Sequence, residues 1–364
     1  MTKEISPEEL LKIASDTYED QLKKMGHANI VVAGRSGVGK STLVNAVFGD
    51  NFAETGHGKP VTQSTRKIVK QGIPVALYDT RGLEMEQYKA TVEQLRGFLA
   101  KCRNSSDLED HIHAAWVCVA EDSRRFEDGE LAVVSLFNEF AIPVIVVITK
   151  ARQDNGFLSK IKELVPTASQ HHRVRAKPEE FDDGHKLLSM GLDLLIQATH
   201  EVVPAGRQSA FAAAQKVDIG LKKSKGHKII AGAAAASAAA GASPIPFSDS
   251  VLLVPIQIAM ITGITAALGV SLEKGALSTV TTSALGCAAT SLGGRAVVVN
   301  LIKLAPGAGT VVGSLISGAT AATLTTALGE LYLNVLAGLI EKVGGNPTAS
   351  EIAKAFENAW GNRV

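Results

Sequence analysis

Hydrophobic and polar positions divide the chain into stretches of different period. Leu10, Ala14, Tyr18, Leu22 and Met25 recur at helical spacing behind Ser6-Pro7-Glu8-Glu9, a capping box with proline at the first helical position. This predicts an amphipathic helix ending near Gly26. Its polar face is mixed in sign rather than basic, so it is expected to pack on the domain that follows rather than lie on a membrane. From residue 28 the pattern changes. Short apolar runs at 30–33, 75–78, 115–119, 144–148 and around Val174 are bounded by polar turns, as for strands buried on both faces. An edge strand is expected at 67–70, hairpinned to the next through Gln71-Gly72. Helical stretches lie near 40–48, 86–101, 127–140 and 184–202. Alternating strand and helix predicts an α/β fold: a mostly parallel, six-stranded sheet with helices on both faces.

Beyond this region the pattern changes again. Residues 205–228, rich in Ala and Lys, read as a connecting helix. Apolar stretches follow at 229–242, 251–272, 275–294, 296–302 and 304–329, the first two separated by Ser243-Pro244-Ile245-Pro246 and a later turn marked by Pro306-Gly307. Thr348-Ala349-Ser350-Glu351 is a second capping box, after which Ile352, Ala355, Phe356, Ala359 and Trp360 share one face. The expected organisation is an N-terminal helix over 1–27, an α/β domain over 28–204, a connecting helix over 205–228 and an all-α apolar domain over 229–364.

Charge sharpens the last boundary. Between 229 and 341 only Asp249, Glu273, Lys274, Arg295, Lys303, Glu330 and Glu341 are charged, whereas the whole chain of 364 residues has a formal net charge of +1. So balanced a chain has no general attraction for nucleic acid, and no DNA partner is expected. The uncharged stretches 251–272 and 304–329 reach bilayer-spanning length, and Gly309-Thr310-Val311-Val312-Gly313 is a close-packing GxxxG. Their Ala, Gly, Ser and Thr content makes either a marginal insertion, and small residues also suit tight packing in a soluble helical domain. The region is therefore expected to meet either membrane lipid or a protein partner. Cys102, Cys118 and Cys287 form no CxxC pair and read as buried free thiols. Charges begin at Lys3 and Thr2 stands where myristoylation needs glycine, so the expected location is cytoplasmic, in the membrane-bound case at the inner face.

The strongest chemical signal is Gly34-Arg35-Ser36-Gly37-Val38-Gly39-Lys40-Ser41, a GxxxxGK(S/T) loop placed after a strand and before a helix, with Thr42 next. Glycines let successive N–H groups turn towards phosphate oxygens, and the helix start adds partial positive charge. Lys40 is expected to reach the β- and γ-phosphates and the Ser41 hydroxyl to bind Mg2+. Asp79-Thr80-Arg81-Gly82 follows at the end of a strand, where Asp79 can hold Mg2+ through water and the Gly82 N–H can touch the γ-phosphate. Between them, Thr62 or Thr65 is positioned to sense the triphosphate through Mg2+, Thr62 being favoured because it lies farther from the edge strand. His111, His113, His171 and His172 lack accompanying ligands at metal spacing, and no metal site is expected there.

The segments GRSGVGKS, PVTQST and DTRGLE resemble the Era-like bacterial GTPases of the translation-factor-related class, over roughly residues 28–178. The later run GASPIPFSDSVLLVPIQIAMITGI resembles an apolar C-terminal domain of unknown function that follows such G domains, and the whole architecture is more distantly similar to the immunity-related GTPases. The resemblance implies GTP/GDP as ligand and substrate, Mg2+ as cofactor, and guanine reading by an (N/T)KxD motif. Thr149 and Lys150 match that motif, but Arg152 occupies its carboxylate position, and Asp154 is the nearest carboxylate that could replace it. Ala176, in Val174-Arg175-Ala176-Lys177, fits the last base-contacting loop through its backbone N–H. Leu83 stands where some GTPases carry a water-orienting Gln, with Glu84 adjacent and Arg35 and Arg81 near enough to offer transition-state charge. The resemblance thus implies slow hydrolysis, accelerated by a nucleotide-dependent homodimer or another partner. A soluble assembly GTPase and a P-loop ATPase are the competing readings.

Overall fold

The computed structural model describes residues 7–49, 52, 57–60, 65–70, 73–80, 88–241, 249–272, 276–277, 279–285, 318–344 and 346–361. The chain divides into two compact units: Met25–Asp218, and the residues up to Lys24 together with those from Ile219 onward.

The first unit is built on a seven-stranded sheet: β1 (Ala28–Ala33), β2 (His57–Pro60), β3 (Thr65–Lys70), β4 (Ile73–Thr80), β5 (Ala114–Ala120), β6 (Val144–Thr149) and β7 (Gln170–Arg173), in the order β2-β3-β4-β1-β5-β6-β7. The strands from β4 to β7 in that order run parallel to their neighbours, while β3 is antiparallel to β4 and β2 to β3. The fold is thus the expected P-loop type. One strand more than expected is present, because residues 57–60 pair with β3 and take over the edge. This unit also contains α2 (Lys40–Phe48), α3 (Tyr88–Arg103), α4 (Asp128–Glu139), α5 (Phe157–Leu164), α6 (Leu192–Val202), α7 (Ala205–Ala214) and a hairpin of β8 (Glu179–Glu180) and β9 (Lys186–Leu187). The helix expected over 184–202 starts only at Leu192, since β9 and an Arg175–Met190 bridge occupy its first part.

Side-chain alternation along β5 shows how the two faces are filled. Ala115, Val117 and Val119 belong to a core that includes Leu95, Leu99, Phe137 and Ile161 from α3, α4 and α5. Trp116 points the other way, stacks on Phe48 with ring centroids 6.0 Å apart, and donates from Nε1 to Thr199 Oγ1 at 3.0 Å. The Thr199 hydroxyl in turn donates to Leu195 O, so the buried indole N–H and hydroxyl are both satisfied.

The expected connecting helix is two helices. Gln215 ends α7: its Oε1 accepts from the Val217 and Asp218 N–H groups, its Nε2 donates to Asp218 O, and the Lys216 N–H donates to Val47 O. The side chain supplies the bonds that a continuing helix would have made, so the chain leaves α7 and starts α8 at Ile219.

The second unit contains α1 (Pro7–Met25, up to Lys24), α8 (Ile219–Gly241), α9 (Asp249–Ala267), α10 (Gly318–Val343) and α11 (Ala349–Gly361). Its core joins Ile230, Ile261, Ile264, Tyr332, Leu336, Phe356 and Trp360. The N-terminal helix belongs here rather than with the domain that follows it. Tyr18 is buried, and its hydroxyl finds an acceptor at Val270 O, 2.7 Å away, in the turn that closes α9. Side chains of one helix fill the space above glycines of the next. A Cβ on Gly329 of α10 would stand 2.7 Å from Met260 Sδ and 2.8 Å from Ile230 Cγ1, and one on Gly226 would stand 2.6 Å from Leu333 Cδ1. Thr348 and Glu351 form the expected capping box of α11, Thr348 N donating to Glu351 Oε2 at 2.8 Å and Glu351 N to Thr348 Oγ1 at 3.3 Å. The GxxxG, Pro306-Gly307, Cys287 and the cap residue Ser6 lie outside the described residues.

Two outcomes test this packing. Gly329→Val should destabilise the helical unit by about 1–3 kcal/mol through overpacking, read as a lowered midpoint in denaturant unfolding. In the first unit, His113 is buried and accepts from Asn29 N–H through Nδ1 at 2.9 Å, and burial pushes its pKa down to about 4. Between that value and the ordinary 6.5 the unfolded chain binds the extra proton, so stability should fall as pH drops through this window. Thermal melts of His113→Gln should lack that part of the pH slope.

Candidate nucleotide-binding site

The carboxyl ends of β1, β4 and β6 place three loops at one edge of the parallel sheet, the position where open α/β sheets bind ligands. The loop after β1 carries positive φ angles at Gly34 (149°), Gly37 (77°) and Gly39 (96°). At Gly34 the requirement is also spatial, because a Cβ there would stand 2.4 Å from Cys118 O. The chain then enters α2 at Lys40, whose ammonium curls back to donate to Gly34 O at 2.8 Å and Arg35 O at 3.0 Å. A cation is thus held inside the bend of a glycine loop at a helix start, which fits a polyphosphate. Thr42 lies a residue beyond the half-buried Lys40 and the exposed Ser41, on the first turn of α2. Ser41 and, at the end of β4, the half-buried Asp79 provide the oxygen donors that suit Mg2+. Arg35 is engaged elsewhere: its NH1 donates to Glu127 Oε1 beside the start of α4. Thr62, Arg81, Gly82, Leu83 and Glu84 lie outside the described residues, and Thr65 is described only as the first residue of β3.

On the other side of the loop lies a cavity of about 370 Å³, lined in part by Gly39, Thr42, Thr149, Lys150, Arg152 and Ala176. The Thr149 hydroxyl lies within hydrogen-bond reach of Val38 O in the P-loop and of Val119 O at 3.1 Å, which ties the end of β6 to both. Lys150 follows in the left-handed region, φ 52°. Its Nζ lies 3.7 Å from Asp122 Oδ2. Ala176 reaches the cavity behind Arg175, whose buried guanidinium donates to Ala151 O at 2.7 Å and Leu188 O at 2.6 Å and so fixes one base-side loop against the other.

Sequence reasoning overlooked Glu121, which organises this side. Its carboxylate is 2% exposed and accepts from Arg152 N, from Gln153 N at 2.8 Å and from Arg173 Nε at 2.6 Å. Burial pushes its pKa up, but the Arg173 and backbone hydrogen bonds outweigh it and hold the group below the usual carboxylate range. Only the end-of-strand position of Glu121 hinted at such a role.

Asp154 has a different setting from the one expected. Its carboxylate accepts from the Leu158 N–H at 2.8 Å and stands 3.6 Å from Arg173 Nε, and it is not among the residues lining the cavity. The cause is local. Asn155 (φ 45°) and Gly156 (φ 78°) turn the chain straight into α5, and Asp154 satisfies an orphan N–H of its first turn. The carboxylates that do line the cavity are Asp122 and Glu179, the latter accepting from Arg152 Nε at 2.7 Å and also from its NH2.

Residues 29–150 match the family model described as 50S ribosome-binding GTPase. GTPase Der of Dinoroseobacter shibae is 27% identical over 168 residues, covering 44% of this chain and 33% of that protein. GTPase Era of Xylella fastidiosa is 36% identical over 124 residues, covering 33% of this chain and 39% of its own length. The chain thus spans about a third of the length of these curated relatives. A crystal structure of a probable GTP-binding protein engB aligns at 20% identity with a TM-score of 0.33, covering 48% of this chain and 98% of that one. The P-loop, the aspartate near the end of β4 and the Thr149-Lys150 corner all lie within the segment that matches this GTPase family model.

Proposed function

We propose that the protein binds GTP and GDP with Mg2+ and hydrolyses GTP slowly, as a nucleotide-dependent switch. The observation that carries this reading is the convergence of a phosphate-type loop and a base-side cavity at one sheet edge, with Gly39 and Thr42 belonging to both. In this reading Lys40 and the N–H groups of Gly34, Arg35, Ser36, Gly37, Val38, Gly39, Ser41 and Thr42 bind the phosphates. Ser41, Asp79 and Thr62 hold Mg2+, which when bound neutralises charge on the β- and γ-phosphates. Thr149, Lys150 and Ala176 face the base, and the Gly82 N–H meets the γ-phosphate. Slow turnover follows from Leu83 at the usual glutamine position, and is supported by the commitment of Arg35 to Glu127 rather than to the phosphate side. A dimer or another partner would then supply the missing transition-state charge.

The helical unit is the proposed output, acting from the cytoplasm on the inner membrane face through the region 229–341. Support comes from α10, which by length and composition alone is long and apolar enough to cross a bilayer. A soluble, partner-binding unit is the second reading. It is favoured by polar pairs buried between the helices: Ser237 Oγ with Thr325 Oγ1 at 2.9 Å, and Thr265 Oγ1 with Tyr332 Oη at 2.8 Å.

Titration of the full-length protein with fluorescent GTP in Mg2+ tests the first proposal. Unlabelled GTP and GDP should displace the probe and ATP should not, while Lys40→Ala should weaken binding about 100-fold by removing a charge-assisted contact to phosphate. Equal displacement by ATP would remove guanine specificity and leave only the P-loop fold. For the output, vesicle flotation in GTP and in GDP is decisive. Co-flotation that depends on the nucleotide supports the membrane reading, and protein remaining in the dense fraction in both states supports the soluble one.

A further inference from the structure

The base-side cavity contains a carboxylate that the motif spacing does not assign. Position 152, where the (N/T)KxD pattern needs an acid, is an arginine, and Asp154 is committed to α5. Resting on the guanine-nucleotide reading above, we propose that Glu179, which Arg152 holds until the base takes its place, is the carboxylate that accepts the ring N1–H and exocyclic amine of guanine.

Three observations place it there. First, Glu179 and Arg152 both line the cavity and form a two-pronged pair, Arg152 donating through Nε and NH2 to different carboxylate oxygens. The two prongs take the lone pairs that point the same way, one on each oxygen, and those left over point to opposite sides. The guanine edge carries the same kind of two-donor fork, so the base takes these oxygens in exchange for the Arg152 prongs. Adenine presents a ring acceptor in place of the N1–H and would face the same oxygens with a repulsive lone pair.

Second, Glu179 lies on the same segment as Ala176, and Val174, Arg175, Ala176, Lys177, Pro178 and Glu179 line the cavity without interruption. A guanine whose O6 meets the Ala176 N–H turns its neighbouring N1 side along that segment. The other cavity carboxylate, Asp122, follows β5 and faces the Lys150 ammonium, whose stem belongs on the ring face rather than the ring edge.

Third, the pair is preorganised. Glu121 holds the Arg152 N–H, the Arg152 guanidinium sits 5.7 Å from the Phe181 ring centroid, and the β8–β9 pairing Glu179↔Leu187 fixes the backbone of Glu179. Hydrogen bonding from Arg152 keeps the Glu179 carboxyl below its usual range, so it is an acceptor at neutral pH.

The test is Glu179→Gln in the full-length protein, with affinities for GTP, XTP and ATP measured by calorimetry in Mg2+. Xanthine carries a carbonyl where guanine has its amine, and a carboxamide can donate to that carbonyl. GTP affinity should fall about 10- to 100-fold and XTP affinity should rise, shifting the GTP-to-XTP ratio by about 100-fold or more. A gain of XTP binding cannot come from misfolding. Asp122→Asn and Asp154→Asn should leave the ratio within about threefold of wild type. An unchanged ratio in Glu179→Gln, or the shift appearing in Asp122→Asn or Asp154→Asn instead, overturns the assignment while leaving the guanine reading intact. A wild-type protein that binds ATP as well as GTP overturns both.

Discussion

The base-side half of the proposed nucleotide site depends on one buried carboxylate. Removing a carboxylate from water is tolerable only if its lone pairs meet strong donors, and Glu121 meets two backbone N–H groups and a guanidinium. Those donors are what set the site. The N–H groups belong to residues 152 and 153, so the corner after Lys150 cannot relax outward without stranding the charge. The guanidinium belongs to Arg173 at the end of β7, so the same anion also ties β7 to the end of β5. The positive φ at Lys150 is the local conformation through which the chain reaches this arrangement.

A parallel constraint shapes the phosphate side. Gly34 has no room for a side chain because β5 passes beneath it, and that contact presses the loop against the strand whose neighbour, β6, ends at Thr149. The Thr149 hydroxyl then reaches carbonyls in both. Phosphate loop and base corner are thus joined through one side chain rather than through the sheet alone. In a motif that tolerates either Asn or Thr, the hydroxyl is long enough for this bridge and leaves the base side to the residues that follow.

Features carried by local pattern were legible in the sequence, and features that depend on long-range pairing were not. The P-loop, the apolar runs of β1, β4, β5 and β6 and the cap of α11 each follow from a few neighbouring residues. By contrast, β2 has no apolar period and exists by pairing with β3. The hairpin β8–β9 is charged and two residues deep on each side, so no hydrophobic alternation announces it. Asp154 is the acid nearest to Arg152 along the chain on the base side, and distance in sequence is all that recommends it as a base reader. What decided its place was an orphan N–H at the start of a helix that the sequence reading had not anticipated. Glu179, twenty-seven residues beyond Arg152, is brought back by the hairpin and by charge.

The helical unit shows why its composition was ambiguous. Gly226 and Gly329 are small because neighbouring side chains occupy the space a Cβ would need, and Ser237, Thr265 and Thr325 are polar because each has a partner across a helix boundary. Such residues serve equally well in lipid and in water, since their value lies in contacts between helices rather than with solvent. What separates the two environments is the outward face. Lys222 is instructive: its stem is buried and its ammonium donates to Leu268 O at 2.7 Å, capping the end of α9. An ammonium that closes a helix end in this way is a structural device of the bundle itself and carries no vote for either environment. Of the charges on α10, Glu341 and Lys342 lie in its last turn, whereas Glu330 lies mid-helix and would have to be accommodated if that helix crossed a bilayer, and it already accepts from His227 at 2.8 Å. A spanning α10 would therefore carry the His227–Glu330 pair into the membrane as a unit or break it, and that pair sets the cost the membrane reading has to meet.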